Sequence, residues 1–353
     1  MPFTYNKGEW SEFYVFIKSL VDKKITVLDS SQEATDDFYK IIKVNRKENN
    51  VNYVYLLDNS GQISKLGDNT NLIISSKVLE DFLPSFLNQI KNNKASSFEI
   101  KHLNNILEEL DTNTIKEGTS EDKTDITLVI DHKDTLNKTI GFSIKSNIGS
   151  KPTLLNASTA TNFIYKIKGF QGKPEDINSI EGKRKIKDRI EKIRQMGGTF
   201  VYHDVNNPVF KNNLMKVDTK LPEIISSLLF AFFDGKGNKI SSLTDQLNRM
   251  HLTNIILSKA DLIYKIKKFL LASALGFFPS KAWDGYYSAN GYIIVKESGE
   301  IGCFDVFDSK LLENYLFGSV KFETASSSKH DFGYVYEKDG EMYIKLNLQI
   351  RFV

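Results

Sequence analysis

Within residues 125–146, two short β-type runs flank a polar turn, and an antiparallel hairpin is the simplest way to satisfy that pattern. The first run is Ile126-Thr127-Leu128-Val129-Ile130, the turn is His132–Lys138, and the second run is Thr139-Ile140-Gly141-Phe142-Ser143-Ile144-Lys145-Ser146. Both are rich in β-branched and aromatic residues, which fit a pleated, half-buried surface. Side chains alternate along a strand, so Ser143 and Lys145 share one face. Asp125 stands at the start of the first run and can reach that same face across an antiparallel pair. A carboxylate and an ammonium held together suit phosphodiester hydrolysis. The carboxylate binds Mg2+, a hard cation that prefers oxygen, and the metal lowers the pKa of an attacking water. The ammonium orients or deprotonates that water and offsets charge in the transition state.

One carboxylate is thin for a metal site, and the N-terminal segment offers more. From Gly8 onward, apolar residues at Trp10, Phe13, Tyr14, Ile17, Leu20 and Val21 have the spacing of an amphipathic helix. Glu9 and Glu12 lie off that stripe and are free to face a site rather than the core.

Composition narrows the class of protein. A chain of 353 residues, 41% hydrophobic and 12% aromatic, can bury one large core or two modest ones. Its 47 Lys and Arg stand against 44 Asp and Glu, a net charge of +3, which argues against a binder that works through bulk charge. A single cysteine, Cys303, excludes a disulfide framework and a cysteine-rich zinc site. No signal peptide is read at the N-terminus, and the most apolar run, Phe269–Phe278, is about half a bilayer span. The expected setting is a reducing cytoplasm.

Elsewhere, strands are predicted at Lys24–Leu28, Asp37–Val44 and Val51–Leu57, and helices at Ser76–Asn92 and Ile100–Leu110. Asn156–Ile167 reads as the start of a helix capped by Ser158 or Thr159. Residues 166–194 hold ten Lys and Arg against five Asp and Glu, and their excess positive charge is a candidate for phosphate contact. Within them, Lys183–Met196 is predicted to be an exposed helix. His203–Asn213 reads as an Asn-rich loop, Leu221–Phe233 as a buried helix, and Ser242–Met250 and Lys259–Leu275 as further helices. From Trp283 the pattern turns β-like, with Asp339-Gly340 as a hairpin turn. Tyr286, Tyr287 and Tyr292 are candidates to line a groove.

Four segments, the last in two parts, taken together and in this order resemble the HpaII family of type II restriction endonucleases, within the PD-(D/E)xK nuclease superfamily. They are Asn6–Glu12, Thr124-Asp125-Ile126, Gly141–Ser146, Ser326–Gly333 and Lys345–Phe352. The resemblance implies an α/β (α+β) fold: a nuclease core with a mixed sheet flanked by helices, and helical and β-rich C-terminal additions. The expected division is a core over residues 1–220 and a helical and β-rich recognition or dimerisation part over 221–353, the alternative being one continuous domain. The resemblance implies Mg2+-dependent cleavage of double-stranded DNA at a short palindrome, CCGG for the family's namesake, by a homodimer. The setting would be a bacterial cytoplasm, with no membrane association and with a cognate DNA methyltransferase as functional partner. Asp125 and Glu12 would bind metal and Lys145 would be the catalytic lysine. Ser143 occupies the place where the superfamily has Asp or Glu, which raises the weight of a carboxylate supplied from Glu12, Glu9 or Asp131. Ser326, Ser327, Ser328, Lys329, His330 and Arg351, with Ser146 and Lys151, would contact DNA. The alternatives are a sequence-specific DNA-binding module that keeps the fold without cleavage, favoured by Ser143, and a repair or Holliday-junction nuclease with the same core.

Overall fold

In a computed structural model, the described residues are 3–48, 51–58, 61–67, 70–115, 123–133, 135–250 and 258–353. The chain begins with α1 (Lys7–Asp22), then β1 (Lys24–Leu28), β2 (Ala34–Glu48), β3 (Val51–Leu57), β4 (Gln62–Gly67) and β5 (Thr70–Ser75). Helices α2 (Ser76–Asn92) and α3 (Leu103–Glu109) lead to β6 (Ile126–His132) and β7 (Thr135–Ser146). Next come β8 (Thr153–Leu155), β9 (Asn162–Lys168), α4 (Pro174–Asn178), α5 (Lys185–Gln195), β10 (Thr199–Val205), α6 (Pro208–Val217), α7 (Leu221–Phe233), α8 (Ile240–Met250) and α9 (Lys259–Leu275). The last part holds β11 (Gly291–Val295), β12 (Ile301–Cys303), α10 (Ser309–Ser319), β13 (Val320–Phe322), α11 (Ser327–His330), β14 (Val335–Lys338), β15 (Glu341–Asn347) and β16 (Ile350–Phe352). This is a mixed α+β architecture. No helix among the described residues is long and apolar enough to cross a membrane.

Two compact units result: Met1–Pro152 with Tyr287–Tyr315, and Thr153–Tyr286 with Leu316–Val353. The division therefore differs from the expected boundary at residue 220. Strand pairing is the reason: β11 joins β7 in parallel and β12 joins β1, so a segment distant in sequence completes the first unit's sheet.

The first unit is built on a nine-stranded mixed sheet in the order β1-β12-β11-β7-β6-β2-β3-β4-β5. Helix α1 starts where Asn6 and Glu9 form a reciprocal capping box, which satisfies two backbone N–H groups that a helix start leaves open. Its stripe of Trp10, Phe13, Phe16, Ile17 and Leu20 is buried in one cluster with Ile126, Leu128, Phe142, Ile144 and Ile293 from the central strands. Burial of each such side chain contributes about 1.5–3 kcal/mol. The β6–β7 hairpin forms as expected, with Ile126 opposite Phe142 and Leu128 opposite Ile140.

The second unit contains a four-stranded sheet, β10-β9-β15-β14, and a three-stranded one, β13-β16-β8. Asp339 and Gly340 make the two-residue turn between β14 and β15, both with positive φ, as the hairpin turn requires. The predicted helix at Asn156–Ile167 is instead a short 3-10 turn followed by β9. Phe163, Tyr165 and Ile167 are buried at every second position, so a period of two overrides the Ser and Thr capping signal. The Asn-rich loop is shorter than expected because Asn207 caps α6 and Pro208 occupies its first turn.

Candidate active site

Three side chains predicted to act together are joined by hydrogen bonds. The Asp125 backbone N–H donates to the Phe142 carbonyl (2.8 Å), which sets the hairpin register at its open end. Asp125 Oδ2 then accepts from the Ile144 N–H (2.7 Å) and from the Ser143 hydroxyl (3.1 Å). Lys145 Nζ donates to Ser143 Oγ (2.9 Å). Ser143, 2% exposed, therefore links ammonium to carboxylate. A Cβ at Gly141 would lie 2.9 Å from Thr124 Oγ1, so a side chain there would displace Thr124.

The surroundings tune this group. Tyr292 is paired in register with Ser143 on the neighbouring β11, and its ring lies 5.2 Å from Lys145 Nζ. The ring is buried, so Tyr292 packs beneath the lysine and does not line an open groove. Burial raises its hydroxyl pKa, and the Asp125 carboxylate adds to the effect. Lys123 is held by its backbone N–H to Ser288 Oγ (2.9 Å). Burial and the nearby Lys145 ammonium push the Lys123 amine down to about 8, against the opposing pull of Asp125. Lys123 is not among the residues the sequence singles out. Its position two residues before Asp125 was the available signal.

The other carboxylates separate clearly. Glu12 is half-buried on α1, one residue after Ser11, whose hydroxyl donates to Ser146 Oγ (2.8 Å) beside Lys145. Glu9 is committed to helix capping, its carboxylate accepting the Asn6 N–H at 2.9 Å. Asp131 lies six residues along β6 from Asp125, roughly 20 Å at strand rise, and accepts the Asn137 N–H at 2.7 Å. Asp131 is thus separated from Asp125 along the strand.

Among the described residues, no group of three His, Cys, Asp or Glu side chains is arranged to hold a metal. Asp125 Oδ1 accepts no hydrogen bond from them, while Oδ2 accepts two. An open carboxylate oxygen with few protein ligands does not suit a zinc cage. It does suit Mg2+, which takes one or two carboxylates and completes its shell with water and phosphate.

The DNA-contact candidates fall on both units. Ser146 is buried and accepts from Ser11 and from the Ile148 N–H, so it ties α1 to β7 and is not presented to a ligand. Lys151 is exposed after β7. In the second unit, Ser326 caps α11 by accepting the Lys329 N–H, Ser327 is buried, and Ser328 and Lys329 are exposed. Asn162 donates to the carbonyls of His330 and Asp331 (2.9 and 3.1 Å), which pins this turn. Arg351 is ion-paired with Glu323 at 2.8 Å.

The family model for the HpaII restriction endonuclease matches residues 6–352. This chain belongs to the HpaII restriction endonuclease family. It is 37% identical over 358 residues to the type II restriction enzyme HpaII of Haemophilus parainfluenzae, covering 99% of each chain. No solved structure matches it significantly. Membership makes the protein a site-specific deoxyribonuclease.

Proposed function

We propose that this chain is a Mg2+-dependent type II endonuclease that hydrolyses both strands of duplex DNA at CCGG, with Asp125, Ser143 and Lys145 at the centre of a PD-(D/E)xK-type core. The supporting observation is the hydrogen-bonded chain from Lys145 through Ser143 to Asp125. Asp125 and Glu12 would hold the cation, which would supply charge neutralisation and acidify a water. Lys145 keeps its ammonium beside the reacting phosphate, where it orients the attacking water and offsets developing negative charge. Ser143 fixes the lysine by accepting its hydrogen bond and fixes the aspartate by donating to it. Pairing a neutral hydroxyl with the lysine leaves the ammonium less neutralised than a second carboxylate would. A homodimer provides one such site per strand. In a bacterial cytoplasm, a cognate methyltransferase protects the host's own sites.

Ser143 also favours a second reading, a DNA-binding module without cleavage. Digestion of a mapped plasmid with and without Mg2+ separates the two. Discrete fragments ending at CCGG are expected only with the cation. A protein that retards a CCGG duplex yet leaves it intact with Mg2+ and Mn2+ would overturn the nuclease reading.

A further inference from the structure

The second unit contains a cleft of about 470 Å3 that the Asp125 constellation does not use. One wall is residues 182–187, the loop before α5 and that helix's first turn. The other is the turn 324–328, and Phe232 and Phe233 at the end of α7 form an apolar floor. Its lining includes Lys183, Arg184, Lys185 and Lys187 but no Asp or Glu. Two stretches far apart in sequence, the basic segment and the Ser326–Ser328 turn, thus meet at one cavity.

Internal pairing shows which cations remain for a ligand. Arg189 is fully buried and donates to the carbonyls of Ile180, Gly333 and Asn178, so it holds the unit together. Lys166 is paired with Glu341, Lys185 with Glu181 and Arg194 with Asp234. Arg184 reaches Asp188 only at 3.5 Å, with its side chain 68% exposed. Among the described residues, Lys183 and Lys187 have no acidic partner. Gly235 makes room for Lys187, since a Cβ there would lie 2.5 Å from its Nζ. The opposite wall presents hydroxyls of Ser326 and Ser328, groups that bond phosphate oxygens in DNA complexes.

We propose that this cleft is a binding site for the phosphodiester backbone of duplex DNA, with Lys183 and Lys187 as its charged contacts and the Ser326–Ser328 hydroxyls opposite them. The proposal rests on the reading of the chain as a DNA-cutting enzyme and adds to it a sequence-independent clamp. Such a clamp contributes affinity through counterion release, about 0.9 in the log–log salt slope per phosphate neutralised.

The test compares full-length wild-type protein with Lys183→Ala/Lys187→Ala, using fluorescence anisotropy on a CCGG duplex in EDTA across a salt series. Circular dichroism and thermal melting confirm the fold. The double variant is expected to bind about tenfold more weakly near 0.1 M salt, with a slope shallower by about one to two. The loss should be the same on a duplex lacking CCGG, and the KM of cleavage should rise with Kd. Unchanged affinity and slope would overturn the clamp. An equal loss from Lys192→Ala, on the same helix but outside the cleft, would also overturn it by assigning the effect to diffuse charge. If wild-type protein neither binds nor cuts duplex DNA, the nuclease reading itself has failed, which is seen before any variant is compared.

Discussion

Ser143 is the neutral link between two charged side chains, and its geometry gives that neutrality a consequence. The hydroxyl accepts from Lys145 and donates to Asp125, so it positions both without adding charge. Removing it in Ser143→Ala leaves the two ends of the chain unlinked. Cleavage under saturating DNA should fall about tenfold, equivalent to about 1.4 kcal/mol, while DNA binding in EDTA stays near wild type. Lys145→Ala removes the ammonium proposed to face the reacting phosphate and should cost about 10²–10⁴ in kcat, again with binding retained. Wild-type cutting by Lys145→Ala would refute the site. The trio was legible in the sequence because it depends only on alternation along one strand and on register across one hairpin. Tyr292 and Lys123 were not. Tyr292 reaches Lys145 through a parallel pairing of strands distant in the chain, and the effect on Lys123 arises from burial that tertiary packing creates.

At the scale of elements, the hairpin that carries the site is anchored at its far end by a charged cluster. His132 Nε2 lies 3.0 Å from the Asp37 carboxylate on β2, and Lys133 Nζ lies 2.9 Å from it. The hydrogen bond from Lys133, followed by that from His132, holds the Asp37 carboxyl below its ordinary range, although burial opposes this. A carboxyl whose pKa is lowered on folding contributes stability above its unfolded value, and loses it as pH falls through the lowered folded value. Asp37→Asn should therefore destabilise the protein at pH 7, by under about 1 kcal/mol for so exposed a group. The gap from wild type should close as pH falls below about 4. Chemical denaturation at both pH values checks this, and an equal gap at both would show that packing, not charge, is responsible. Elements with strong periodicity, such as α1, α7 and α9, were legible before the fold was known. β9 was not, because Ser158 and Thr159 carry a helix-start signal that governs only a 3-10 turn. Helix α6 was hidden by the asparagines around it, although Asn207 and Pro208 are its cap and first residue.

At the scale of the molecule, a net charge of +3 conceals a separation. The second unit holds 26 of the 47 Lys and Arg and 17 of the 44 Asp and Glu, a net of +9; the first holds the remaining 21 and 27, a net of −6. The unit that carries Asp125, Ser143 and Lys145 is thus acidic, and the unit that carries the cleft and the Ser326–His330 turn is basic. Neither unit's sign was legible from linear composition, because the first unit is assembled from two separate stretches of chain. Cations attract DNA at long range, whereas the net negative charge of the first unit opposes the approach of phosphate until a divalent cation offsets it. DNA affinity in EDTA should consequently be lower than in Ca2+, by about tenfold at moderate salt, a difference of about 1.4 kcal/mol. Asp125→Asn should recover part of that difference in EDTA by removing one charge near the scissile phosphate, and should bind more tightly than wild type while cutting nothing. Anisotropy titrations with and without Ca2+ decide the matter. If affinity ignores both the cation and the substitution, the acidic unit does not oppose DNA, and the basic unit's charge alone sets how tightly the duplex is held.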